Sequence, residues 1–337
     1  MMRTVTSEDQ HPPSALHVND CAFTTRRLLH RAHELGLPWS YQPVAAKGRT
    51  WDGISGKATK AVLGARWLAV LAARAYRNDI LHIHSGSVLR HSRYVPKSYV
   101  LQLHGSDVRT LQYDPAWTSI IRRGLREAQY VYYPTPELAE HTLPHRPDAE
   151  YMAIPIDLRE LPPWSPPEGQ RPVVLFASRW DPVKGLDTQL QLARDVVRAV
   201  GDRADVIGLE WGAATDEARR AGLTLRPRVD LPTYLGWLAS ADVVVGQASG
   251  ILATSELETL GMGAPLVLPV PVPLYKPVPP PVLGGDVASA VDAIQTLLTS
   301  DHAGHDTTVG PAWIEEYHGI SQAVDRIAAL YQRLMSR

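Results

Sequence analysis

Arg179 and Lys184 lie five residues apart in the stretch Phe176-Ala-Ser-Arg-Trp-Asp-Pro-Val-Lys-Gly185, which follows an apolar run and feeds a helical pattern starting near Asp187. Two cations converging with a helix N-terminus suit a diphosphate, because terminal amides attract anions and each charge-assisted contact is worth roughly 1.5–3 kcal/mol. The glycine spacing of a Walker loop is absent, which argues against a P-loop kinase. A solvated loop with incidental charges would have the same composition. A second stretch, Ser249 to Pro265, carries Glu256 and Glu258 at the start of a short helix. A carboxylate there either complements the helix dipole, worth about 0.3–1 kcal/mol, or accepts two ribose hydroxyls. His104-Gly-Ser-Asp107 places an imidazole where an apolar run ends and a glycine lets the chain turn; such a histidine is either structural or faces a cleft. His82 and His84 share one face of a strand and invite a metal reading, but no Cys, Asp or Glu at a known spacing completes a ligand set, so no metal is expected.

These positions matter because of the elements around them. Apolar runs at Ala15–Val18, Trp39–Val44, Ile80–His84, Tyr99–Leu103 and Tyr130–Tyr133 alternate with helical patterns at Thr24–Leu35 and Ala58–Arg77. Gly48 to Gly56 reads as a loop. Between Leu161 and Pro172, five of twelve residues are proline, which excludes a helix or a central strand and marks a linker. The alternation then restarts: strands at Val173–Ala177, Asp205–Leu209, Asp242–Val245 and Leu266–Leu268, helices at Asp187–Val200, Leu231–Ser240 and from Ser255 to Leu260. Pro269 to Pro281 holds seven prolines and is an irregular loop. Helices at about Val287–Leu298 and Ile320–Met335 close the chain. Parallel sheets covered on both faces follow from this alternation, with ligands expected beyond the carboxyl ends of the strands.

Composition bounds the rest. The 337 residues suffice for two domains, and 45% hydrophobic with 20% charged residues excludes a disordered chain. The single Cys21 cannot form an internal disulfide and no charged-then-apolar leader opens the chain, so the expected compartment is a reducing cytoplasm. Ala61–Tyr76 is interrupted by Arg66 and Arg74 and falls short of the roughly 18–20 apolar residues of a membrane span. The net charge of −1 hides a division: residues 1–160 carry 20 basic against 15 acidic side chains, a net of +5, and the remainder 14 against 20, a net of −6. A dispersed excess of this size is too mild for duplex DNA, so no nucleic-acid partner is expected.

In order and spacing, His104-Gly105-x-Asp107, then Arg179-x4-Lys184-Gly185, then Glu258 leading through Gly263 to Pro265 resemble the retaining glycosyltransferases of the GT-B fold, the family-4 group in particular. The resemblance covers most of the chain. It implies an α/β protein of two Rossmann-like doubly wound domains facing across a cleft. The N-terminal, acceptor-binding domain would be residues 1–160, joined by a linker, 161–171, to a nucleotide-sugar-binding domain, 172–310. The helices of 311–337 would pack back on the first domain. It further implies that Arg179 and Lys184 hold the donor diphosphate and carry most of the catalysis, that Glu258 holds the ribose hydroxyls, and that His104 contacts the donor sugar from the opposite domain. Gly185 and the loop Gly250, Ile251 and Leu252 would line the donor site. The acceptor, a hydroxyl-bearing and small or specialised molecule, would lie near the loop Asn19–Thr25, with Asp20, and near Lys47–Gly56; Asp107 is a further acceptor candidate. Neither cofactor nor metal is implied, and the nucleotide sugar is a co-substrate.

Two departures from the family pattern stand out. The first glutamate of the family's E-x7-E motif falls at Gly250, so a donor-sugar carboxylate is missing; Glu256, Gln247 or the amides of Gly250 and Ile251 are the substitutes at hand. The first loop has Asn19-Asp-Cys-Ala-Phe23 in place of paired glycines, and Asp20 either reads the acceptor or caps the following helix. Trp211-Gly212 and Arg228 to Leu231 are candidate walls for the base. A sugar-nucleotide epimerase of the same fold and a non-catalytic nucleotide-sugar-binding relative are the alternatives, opposed respectively by Gly250 and by the retention of Arg179, Lys184, Glu258 and His104 together. Peripheral membrane contact has no support in the sequence, since Ala58–Arg77 does not segregate basic from apolar residues.

Overall fold

The computed structural model describes residues 11–44, 53–300, 302 and 304–336. It consists of two compact units. One holds the chain up to Pro155 and takes it back from Ile320 onward; the other is Ile156–Gly319. Ile156 N donates to His318 O at 2.8 Å, so the chain enters and leaves the second unit side by side.

The first unit is built on six parallel strands: β1 (Ala15–Val18), β2 (Trp39–Gln42), β3 (Ile80–His84), β4 (Tyr99–Gln102), β5 (Tyr130–Tyr133) and β6 (Glu150–Tyr151), in the order β2-β1-β3-β4-β5-β6. β1 and β3 are neighbours while the chain between them visits β2, so the winding reverses at this pair and leaves a crevice beyond their carboxyl ends. The register sets His17 beside His82 and His84 beside Gln102. One face of the sheet packs on the helices Thr24–Glu34 and Ile320–Met335 through Leu28, Trp39, Val324, Ile327 and Tyr331, all buried. Every apolar position in the last helix that falls on this stripe recurs at three or four residues, which is why it docks as a helix.

The second unit repeats the plan with β7 (Val173–Phe176), β8 (Asp205–Leu209), β9 (Thr224–Arg226), β10 (Val243–Val245), β11 (Leu266–Leu268) and β12 (Leu283–Gly284). The order β12-β11-β10-β7-β8-β9 is that of a dinucleotide-binding sheet, with its switch point between β7 and β10. The proline-rich stretch is strapped along this unit: Trp164 N donates to Met262 O at 2.9 Å, Trp164 Nε1 to Ala241 O at 2.7 Å and Ser165 N to Ala239 O at 2.8 Å.

Several elements differ from the sequence expectations. The helix expected over Ala58–Arg77 begins at Gly53, and β2 ends at Gln42. The loop expected at Gly48–Gly56 is therefore helix from Gly53 on, and its earlier part lies outside the described residues. Strands β6, β9 and β12 have two or three residues each, too few to carry a period. Helices at Thr118–Glu127, Thr215–Arg220 and Val309–His318 also went unread; the last belongs to the second unit. No helix among the described residues is long and apolar enough to cross a membrane.

Candidate functional site

In the second unit the residues after β7, β8 and β10 are tied into one structure. From β7 the chain runs through Ser178, Arg179, Trp180 and Asp181 into a short 3-10 turn, Pro182–Lys184, and then into the helix Leu186–Val200. The carbonyl of Lys184 accepts from Ala248 N at 3.0 Å and from Gln189 Nε2 at 2.5 Å. Its ammonium donates to Gln247 Oε1 at 2.8 Å. Between them Gly185 has φ +73°, and a Cβ there would sit 2.1 Å from the carbonyl oxygen of Ala248. Glycine is required on both counts, and its absence of a side chain lets the two loops touch.

Gln247, buried, is the hub of the β10 loop. Its Oε1 also accepts from Ser249 Oγ at 2.9 Å, and its Nε2 donates to Ile251 O at 3.1 Å. Glu256, buried as well, accepts Gln247 N on one oxygen and Ala253 N on the other, each at 2.9 Å. The structure thus gives Glu256 the task of closing the loop onto its helix, in place of the sugar contact considered for it. Leu252 N donates to Tyr275 Oη at 2.9 Å, so that amide too is engaged in the loop's own structure. Gly250 has φ +73° but open space around its Cβ direction, the nearest atom being Pro271 O at 3.7 Å. Glu258 is buried in the helix Thr254–Gly261, near Tyr234. Burial pushes the Tyr234 phenol up; the Ser255 hydrogen bond opposes this, and Glu258 and Glu256 add to it. Its hydroxyl donates to Ala177 O at 2.9 Å, at the end of β7.

Arg179 pairs with Asp181 at 3.0 Å, and its guanidinium lies 5.9 Å from the ring centre of Trp211, with Arg228 over the same ring at 4.6 Å. Asp181 also accepts Ala213 N at 2.9 Å, and Trp180 N donates to Trp211 O at 2.9 Å. The exposed Trp211 ring therefore carries two guanidinium groups just beyond β8, the strand paired with the one that leads to Lys184. Cations over an indole face gain about 0.5–2 kcal/mol and hold the ring in place.

In the first unit His104 follows β4. Its backbone amide donates to both oxygens of Asp107, at 3.1 and 3.2 Å, and the same carboxylate accepts Gly86 N at 2.9 Å and Val108 N at 3.1 Å. Asp107 is wholly buried and ties the loop after β3 to the loop after β4; this is a structural task, not that of an acceptor contact. Asp20 Oδ1 accepts Thr25 N at 3.0 Å and its other oxygen pairs with Arg26 at 3.3 Å, the capping alternative for that residue. Asn19, Ala22 and Phe23 hold φ of 75°, 49° and 61°, so the first loop adopts the left-handed backbone without the glycines that usually provide it. His17, His82 and His84 are each wholly buried, and one ring nitrogen of each lies within 4.8 Å of the others'. Burial pushes all three imidazoles down, His17 to about 3.

No family model and no curated protein matches the sequence. Solved structures do match in shape. HepE of Anabaena, in complex with UDP-glucose, superposes with a TM-score of 0.68 at 14% identity over 96% of this chain and 100% of its own. AviGT4, a glycosyltransferase involved in avilamycin A biosynthesis, superposes with a TM-score of 0.59 at 19% identity over 96% and 98%. A structure from Listeria monocytogenes, named for UDP-N-acetylglucosamine 2-epimerase, gives 0.60 at 13% over 97% and 98%. The chain has the GT-B fold.

Within this GT-B chain the structure brings Arg179, Lys184, Gly185 and the Gly250–Leu252 loop to neighbouring strand ends of the second unit, and His104 and Asp20 to strand ends of the first. Sequence reasoning missed Gln247 as the direct partner of Lys184, since a lone glutamine has no motif. It also missed Arg109, which pairs with Glu137 and lies beside Gly105.

Proposed function

We propose that this protein is a retaining glycosyltransferase of the family-4 type, which moves a sugar from a nucleotide-sugar donor to the hydroxyl of a small or specialised acceptor. One observation carries the proposal: two cations, Arg179 and Lys184, are held on interlocked loops at the switch point of a dinucleotide-type sheet. An anion bound there meets fixed positive charge at no cost of reorganisation, which is the arrangement that stabilises a departing diphosphate. The HepE structure, which contains UDP-glucose, supports the choice of donor class.

In the proposed reaction the bond between the anomeric carbon and the diphosphate oxygen breaks, and the nucleoside diphosphate leaves with the electron pair. Arg179 and Lys184 neutralise the charge that develops. The acceptor oxygen adds from the same face and its proton passes to the departing phosphate oxygen. Glu258 is proposed for the ribose hydroxyls, His104 for the donor sugar, and the Trp211 ring for the base. No residue is required as covalent nucleophile and no metal ion takes part.

A thermal-shift panel with UDP, GDP, ADP and dTDP tests the donor site: at least one should raise the melting temperature, and failure of all four overturns the proposal. Incubation with a mixed nucleotide-sugar pool then identifies the donor by its slow hydrolysis. The Listeria structure keeps the epimerase reading in view. Proton NMR of the product separates the two, since an epimerase returns an altered nucleotide sugar, whereas a retaining transferase releases the sugar in the donor's anomeric configuration.

A further inference from the structure

Five side chains of the first unit form one unbroken hydrogen-bonded row. His82 Nδ1 lies 2.6 Å from Tyr331 Oη, which lies 3.2 Å from His17 Nε2; His17 Nδ1 is 3.0 Å from His84 Nε2, and His84 Nδ1 is 3.4 Å from His104 Nε2. The row crosses from the last helix through β1 and β3 to the loop after β4. His17, His82, His84 and Tyr331 have no exposed surface, so a charged imidazole among them would be a buried cation without a counter-ion in the row. Each neutral imidazole carries one N–H, and the tyrosine one O–H.

Counting protons leaves three arrangements of the row. If the donors point towards His82, that ring must carry its proton on Nε2, which is buried and has no hydrogen-bond partner. If both histidines beside Tyr331 donate to it, the phenol O–H is stranded instead. If all donors point from His82 towards His104, four protons fill the four links, the fifth sits on Nδ1 of the half-buried His104, and the buried end of the row is a bare ring nitrogen, His82 Nε2. Orphaned buried donors are rarer than under-used acceptors. The third arrangement places the proton of His82, His17, His84 and finally His104 on Nδ1, the minor form of a free histidine in water.

We propose that Tyr331, His17 and His84 are positioning residues that hold His104 as a neutral imidazole with its proton on Nδ1. A fixed N–H donor suits an uncharged sugar oxygen, and this purpose rests on the donor-sugar role proposed for His104; the tautomer itself does not.

Long-range proton–nitrogen spectra of the full-length protein, labelled with 15N histidine and recorded at neutral pH, read each ring directly. All four rings should show Nδ1 protonated and Nε2 bare. Tyr331→Phe removes the hydroxyl that His82 donates to and should release His82 into mixed tautomers, while a buried Nε2 proton on His17 would be orphaned and so stays disfavoured; His84→Leu removes the ring that donates to His104 and should release His104. Tyr132→Phe, which removes another buried hydroxyl outside the row, should leave all four as they were. A merely structural role for Tyr331 would lower the melting temperature and leave the tautomers alone. Nε2 protonation of His104 in the unaltered protein overturns the proposal. So does a His104 tautomer unmoved by His84→Leu, and so does a shift of the three buried rings on adding zinc, which would make them metal ligands. Loss of the glycosyl-transfer reading would show as absent donor turnover with the tautomers intact, so the two failures are distinguishable.

Discussion

Lowering the pH from 7.5 to 5.5 should destabilise the first unit by about 4 kcal/mol. His17, His82 and His84 are wholly buried, and burial holds each imidazole neutral far below the usual range, with neighbouring histidines adding to the effect. In the unfolded chain the same groups titrate near pH 6.5. Below that value the unfolded state binds protons that the folded state does not, so stability rises with pH and is lost as pH falls. Over this interval each histidine costs about a factor of ten in the folding equilibrium, and three together about 4 kcal/mol. That is a large part of the roughly 5–15 kcal/mol that stabilises a domain. The paired carboxylate Asp79, depressed mainly by its hydrogen bonds from Ser14, loses its contribution only below its ordinary value of 3.8, outside the interval. The assay is hydrogen exchange read by mass spectrometry on peptides covering Ile80–His84, corrected for the intrinsic dependence on pH, with Val173–Phe176 for comparison. Protection of β3 should fall about a thousandfold between pH 7.5 and 5.5 once opening is global. Protection that is flat across the interval would mean that the buried rings accept protons in place, and the reasoning would be refuted.

Three further outcomes follow from the second unit. Lys184→Ala should lower donor turnover by about 30- to 1000-fold, corresponding to about 2–4 kcal/mol, while circular dichroism stays unchanged, because Ser249 still donates to Gln247 Oε1. Glu256→Gln turns one acceptor towards a backbone N–H as an amide, at about 1–3 kcal/mol, and should lower the melting temperature by several degrees; an unchanged melting curve would show that the carboxylate does not hold the loop. Gly185→Ala must displace the carbonyl of Ala248 and should abolish nucleotide binding by calorimetry. Gly250→Ala, at the same φ but in open space, meets only the backbone strain of about 1–2 kcal/mol and should keep binding.

Much of the architecture was legible in the chain. The short apolar runs at Ala15, Ile80, Tyr130 and Val173 became strands within a residue of where they were read, because a strand buried on both faces needs a largely apolar run. The helices Leu231–Ser240 and Ile320–Met335 also carried their period in full. What was not legible were β6, β9 and β12, short strands without an apolar run, and the helix start at Gly53, where two glycines within four residues read locally as a loop. At the candidate sites, Lys184 and Arg179 were visible as charge beside a helix start. The engagement of Glu256 and Asp107 by backbone amides was not, since a carboxylate that binds a hydroxyl and one that binds a loop are the same letter.

By itself the sequence determined that two α/β domains would form and which loops would stand at their strand ends, because periodicity and turn chemistry are local. Only the tertiary structure decided what those loops do. Gln247 meets Lys184 across 63 positions, and Tyr331 meets His82 across 249. Such pairs exist because parallel strands distant in sequence lie side by side in one sheet and the last helix covers the first strands, contacts that no local pattern encodes.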